Sequence, residues 1–168
     1  MQVQAARTSQ RIQAAEVVFA FNDWAIDSVD GVRKTFGSSV ALADPAGVVA
    51  GLTAPAGLVA DLINMPPGAV IVGGEVIVET AFAGIGAGAT LSVGIAGNTT
   101  ALVNAMDLDA ALAGSRTAFA LTAPMLANAG QNLRVTTAGL TAGGATAGRV
   151  RIRVQYTIDN RAEEVVSN

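Results

Sequence analysis

The chain has 168 residues, of which 51% are apolar but only 4% aromatic, with 19 Gly, no Cys, no His and a net charge of −3. That length suits one domain, whose core must be built from Val, Ile, Leu and Ala around Trp24, Tyr156 and five Phe. The missing Cys excludes disulfides and thiolate sites, the missing His removes the commonest general base and metal ligand, and the charge gives no field to gather nucleic acid.

The mean hydropathy is positive, yet no run of about 18 uninterrupted apolar residues is present, as a spanning helix would need. The first ten residues, MQVQAARTSQ, lack the apolar centre of a secretory signal. No membrane partner is expected, and an apolar surface points instead to assembly with other proteins.

Residues 1–15 are polar and Gln-rich. They read as a frayed end, the usual fate of a terminus, or as an arm that orders on a neighbouring subunit. Glu16–Ile26 is rich in β-branched and aromatic residues and puts Val17, Phe19 and Phe21 on one face of a first strand. Ser28–Gly31 is a turn. Val32–Phe36 follows as a short strand with Val32, Lys34 and Phe36 on one face, and Lys34 is expected at an edge with its head in water.

Ser38–Gly57 carries Ala, Gly and Pro with almost no charge. It reads as a long loop with short strands near Val40–Leu42 and Val48–Ala50, too apolar for mere solvation and so a candidate contact surface. Leu58–Asn64 is a strand with Leu58, Ala60 and Leu62 on one side, ended by Pro66-Pro67-Gly68. Ala69–Val72 runs through Gly73-Gly74, a suspected bulge or change of sheet, into Glu75–Phe82, where Glu75, Ile77 and Glu79 oppose Val76, Val78 and Thr80. Thr90–Ile95 is a further strand.

Asp107–Ala113 reads as one short helix, N-capped by Asp107 and stopped by Gly114. Thr117–Leu121 and Leu133–Thr137 are strands, and Gly139–Gly148 is a linker or hairpin loop. Arg149–Ile158 alternates most clearly, with Val150, Ile152, Val154 and Tyr156 inward and Arg149, Arg151, Arg153 and Gln155 outward. Seven to nine short strands imply an all-β fold, a β-sandwich or jelly roll. The domain spans 16–158, with an arm over 1–15 and a charged tail over 159–168.

Catalytic designs find little support. Ser-His-Asp and Cys-His arrangements are impossible, and Lys34, the sole lysine, lacks Ser-x-x-Lys spacing. Glu75 and Glu79 are better read as opposing the arginines of the last strand than as a hydrolytic pair. Asp23, Asp27 and Asp30 do not match a calcium loop and read as turn formers. The Gly-rich stretches lack the phosphate-loop pattern. The Arg149, Arg151 and Arg153 stripe has no interleaved aromatics for nucleic acid. It reads first as a salt-bridge ladder and second as a docking surface for an acidic protein. No enzyme, cofactor or metal is expected.

Three stretches in order, FNDWAIDSVDGVRKTFG, MPPGAVIVGGEVIVETAF with GATLSVG, and AGRVRIRVQYTIDNRAEE, resemble the capsid decoration (cement) proteins of tailed bacteriophages over most of residues 16–164. In that family a Pro-containing Gly-Gly stretch precedes a strand ending Glu-Thr-Ala-Phe. Met65, Pro66, Gly68, Ala69, Val70, Gly73, Gly74, Glu79, Thr80, Ala81 and Phe82 match it here, with Val70 one place early and Ile71 in the family's Val slot. The Gln-rich extension and the apolar 38–57 loop depart from the pattern.

The resemblance implies a jelly-roll-like sandwich on the outer surface of an icosahedral head, assembled in the host cytoplasm. Its partners would be the major capsid protein and itself, as a homodimer or homotrimer. Candidate contacts are Arg7 and Arg11 in the arm, and Val40, Leu42, Val48, Val49 and Leu52 in the loop. Arg149, Arg151 and Arg153 on the last strand complete the set. A head-fibre or receptor- or glycan-binding sandwich domain is the alternative reading.

Overall fold

In the computed structural model, residues 12–38, 57–121, 125–127, 132–141 and 143–158 are described. They form eleven strands: β1 (Gln13–Ala20), β2 (Trp24–Ile26), β3 (Arg33–Thr35), β4 (Val59–Asn64), β5 (Ala69–Ala83), β6 (Thr90–Ile95), β7 (Asn98–Asp107), β8 (Arg116–Ala118), β9 (Met125–Ala127), β10 (Asn132–Ala138) and β11 (Ala147–Ile158). One sheet has the order β1-β11-β5-β8, with β9 also on β5; the second has the order β4-β10-β6-β7. All pairings are antiparallel, including the separate β2–β3 hairpin. The expected all-β sandwich is what the chain forms.

The two sheets share one core. Phe19, Val76, Val78, Val150, Ile152 and Val154 come from the first, and Ala60, Leu91, Val93, Leu102, Leu133 and Val135 from the second. Strict alternation drives this on β11, where Val150, Ile152 and Val154 are fully buried and the intervening arginines point away from the core. Tyr156 is only partly buried against that core.

β5 has 15 residues where its partner β11 has 12. The surplus is taken up by three register shifts along the pair, each of which bends the longer strand and adds twist. One shift skips Val72, which is 42% exposed as a result. The suspected irregularity beside Gly73-Gly74 is therefore a bulge. It is not a change of sheet, because β5 stays against β11 on both sides of it. Gly74 has φ +152, and a Cβ there would run into the Phe119 ring; Gly148 has φ +141 under the Phe82 ring. An aromatic ring covers the bare backbone at both places.

Several expectations need correction. Glu16–Ile26 is not one strand, because a turn intervenes: the Asp23 N–H donates to the Ala20 carbonyl and the Asp23 carboxylate accepts the Ala20 N–H at 2.7 Å. β1 already begins at Gln13, so residues 13–15 of the expected arm lie in the sheet. In β4 the register shifts past Leu62, so Ile63 follows Leu58 and Ala60 into the core instead.

No helix forms over Asp107–Ala113. The Asp107 carboxylate does accept the N–H groups of Asp109 and Ala110 at 2.9 and 3.0 Å, as a cap would. Those bonds close a turn, while Leu108 is buried with its N–H on the Ala89 carbonyl. Two turns of helix offer too few bonds to offset nucleation, and the tertiary anchor wins. Residues 98–106, unassigned from sequence, form β7 together with Asp107.

Candidate interaction face

The outer face of the β1-β11-β5-β8 sheet carries the arginine stripe. Arg149, Arg151 and Arg153 occupy alternate positions of β11, between Glu16 on β1 and Glu75 and Glu79 on β5. Arg151 is the hub: its guanidinium meets Glu79 Oε1 at 2.6 Å and Glu16 Oε1 at 2.8 Å. Arg149 Nε reaches the other Glu79 oxygen at 3.0 Å, and Arg153 reaches Glu16 Oε2 at 3.5 Å. Glu79 serves two arginines because the register shift between Arg149 and Val150 leaves it unpaired and re-aims it. Two carboxylates favour the charged form of Arg151 and raise its pKa above the ordinary guanidinium value, Glu79 more than Glu16.

This is the salt-bridge ladder expected from the sequence, with one difference. Glu75 lies opposite Arg153 in the register, but its carboxylate takes Arg116 Nη1 of β8 at 2.9 and 3.0 Å. Glu16, not singled out in the sequence, fills the vacant role. The ladder crosslinks three strands, and the separate Glu75–Arg116 pair ties β8 to β5; all are partly exposed, so each contributes little alone and together they chiefly stiffen the face. The second sheet has its own clamp, a two-point Arg134–Asp61 pair at 2.7 and 3.0 Å. The Arg134 bonds hold the Asp61 carboxyl below its ordinary range, against the opposing effect of burial.

The largest departure is Lys34. It does share a face with Val32 and Phe36, but it is 1% exposed rather than at a wet edge. Its Nζ sits 2.8 Å from Asp27 Oδ2 and 2.6 Å from Asp30 Oδ2. Asp27, itself buried, also accepts the N–H groups of Val29 at 2.8 Å and Val59 at 3.0 Å. Burial pushes the Asp27 carboxyl up, but the Lys34 and backbone hydrogen bonds outweigh it and leave it below its ordinary value. Burial likewise opposes the Lys34 charge, and its two carboxylates overcome that and raise its pKa. The turn aspartates thus tie the β2–β3 hairpin to the start of β4. They form a structural clasp, with the Ser28 hydroxyl adding a bond to the Val59 carbonyl at 2.9 Å.

Of the candidate contact residues, Arg149, Arg151 and Arg153 stand together on the ladder. Arg7, Arg11, Val40, Leu42, Val48, Val49 and Leu52 lie outside the described residues, as do the two short strands expected near Val40 and Val48. An open groove of about 630 Å³ lies elsewhere, lined by Gln13, Asn64, Met65, Pro66, Pro67, Tyr156 and Ile158. Tyr156 is its sole ionisable side chain. Among the described residues no group of three or more His, Cys, Asp or Glu is placed to hold a metal, and no helix is long and apolar enough to cross a membrane.

No protein-family model and no curated protein matches the chain. One solved structure does: a chain of the capsid asymmetric unit of the cyanophage Pam1, at 18% identity and a TM-score of 0.55. The match covers 94% of this chain and 92% of that one. The likeness is one of fold.

Proposed function

We propose that the chain is a non-enzymatic structural protein of a phage virion, a decoration or cement protein bound to the outside of the head. The observation that carries this is the end-to-end likeness to a chain of a cyanophage capsid asymmetric unit, which agrees with the resemblance of the three sequence stretches to phage cement proteins. On this reading the chain associates with the major capsid protein and with itself as a homodimer or homotrimer, after synthesis in the host cytoplasm. It uses no cofactor, nucleic acid or membrane.

The strand order supports a jelly roll in particular. β1 pairs β11, β4 pairs β10, β5 pairs β8 and β6 pairs β7, with successive pairs falling in alternate sheets. That is the pattern of one long hairpin rolled up on itself, as in jelly rolls of viral shells. A stiff sandwich suits a staple. Several weak contacts around one symmetry axis act together, and binding to the assembled lattice alone stabilises that lattice by mass action. The test is a density map of the virion of the phage that encodes the chain. Sandwich-shaped density on the outer surface, bridging capsid subunits, is expected; a shell with no such density would overturn the proposal.

A further inference from the structure

The β2–β3 hairpin stands outside the rolled-up strand pairs and carries an unusual surface. Trp24, Ile26 and Val29 are 51%, 59% and 76% exposed, although Phe19, Phe36, Phe82 and Phe119 are all buried. Trp24 and Ile26 are two apart on β2 and share a face, where their cross-strand partners are Thr35 and Arg33. The Arg33 guanidinium lies 3.7 Å over the Trp24 ring.

Among the described residues every other basic side chain has a carboxylate: Lys34, Arg116, Arg134, Arg149, Arg151 and Arg153 are all ion-paired. Arg33 has none, and its Nε is shielded from solvent without an acceptor. The platform beneath is rigid, because Lys34, next to Arg33 and on the opposite face, is locked by Asp27 and Asp30.

We infer that this hairpin face docks on a protein surface that offers a carboxylate to Arg33 inside an apolar patch that receives Trp24 and Ile26. The identity of that partner rests on the virion reading, under which it is the capsid shell. Three features favour such an occupant. Trp and Arg are the residues over-represented where binding energy concentrates. A clasped hairpin with its guanidinium already held on a ring loses little freedom on binding. A guanidinium without an acceptor is matched by a carboxylate, which it grips through two hydrogen bonds. A second copy related by a two-fold axis fits less well. Joined patch to patch, the two copies have no free carboxylate to offer Arg33, because Asp27 and Asp30 are committed to Lys34 and Asp23 to the Ala20 N–H.

The experiment measures binding of the purified chain to heads of the encoding phage stripped of it, by co-sedimentation. Arg33→Gln, Trp24→Ala and Ile26→Glu are compared with Leu112→Ala, a change at a 73% exposed residue of another loop. Ile26→Glu leaves the core untouched and supplies Arg33 with a carboxylate of its own. The three hairpin variants are expected to lose at least about tenfold in affinity, with Leu112→Ala unchanged. Hairpin variants that bind like the unaltered chain would overturn this inference and leave the virion reading standing. An unaltered chain that does not bind heads would overturn both. An oligomer of the unaltered chain that Ile26→Glu splits into monomers would make the patch a self-contact and refute the partner assignment.

Discussion

Replacing Lys34 with Met keeps an unbranched side chain out to the ε position and removes the ammonium that two carboxylates share. Breaking a buried ion pair from one side costs about 3–5 kcal/mol, because the remaining charge stays buried. Asp27 keeps its bonds from Val29 and Val59, so the lower end applies, about 3 kcal/mol. For a domain of this size that is a fall of roughly 6–12 °C in Tm. Asp27→Asn leaves Lys34 with Asp30 and costs less, about 2 kcal/mol. If the residues act as one unit, the double variant costs less than the two singles together by about 1–3 kcal/mol.

The pH dependence has a definite sign. Asp27 titrates below its ordinary value in the fold, so its contribution is present above the unfolded carboxyl pKa and is lost as pH falls through the folded one. Lys34 is raised, so its contribution is present below the ordinary lysine pKa and is lost as pH rises through the folded value. The gap between wild type and Lys34→Met is therefore widest between those limits and shrinks in acid. Urea denaturation at neutral and acid pH measures it. Additive single costs at neutral pH, or a gap that widens in acid, would refute the clasp.

Gly148→Ala drives a Cβ into the Phe82 ring at φ +141 and is expected to cost about 2 kcal/mol by urea denaturation. Ser92→Ala removes the hydroxyl that accepts the Ala105 N–H at 2.9 Å, where Ala105 has φ +48 and the β6–β7 register shifts; the expected loss is about 1–2 kcal/mol. Arg151→Ala, which removes the hub of the ladder, should lower Tm in dilute buffer. The difference should fade near 1 M salt, where the screening length falls to about 3 Å.

The sequence made some of this legible and hid the rest for physical reasons. β6, β10 and the buried face of β11 were readable because period-two alternation survives there. The ladder was readable because the glutamates of β5 and the arginines of β11 recur at even spacings, which puts each set on one outward face. β7 was hidden: Leu102 and Val103 are buried in succession and Ala105 takes a left-handed turn, which together erase the alternation. The helix expected after Asp107 was an ambiguity of chemistry, since one aspartate can cap a helix or close a turn. The fate of Lys34 depended on Asp27 and Asp30 folding back from a turn across the hairpin, which spacing alone does not reveal. Of the candidate contact set, the arginine stripe was placed on one outer face, while the exposed Trp24 and the unpaired Arg33 emerged only from the hairpin's geometry.

Whether the chain fastens a viral shell is decided by heating purified heads of the encoding phage with and without it in parallel. A higher melting temperature for the decorated heads, rising with occupancy until the sites saturate, is the predicted result. Heads that melt at the same temperature at full occupancy would contradict it.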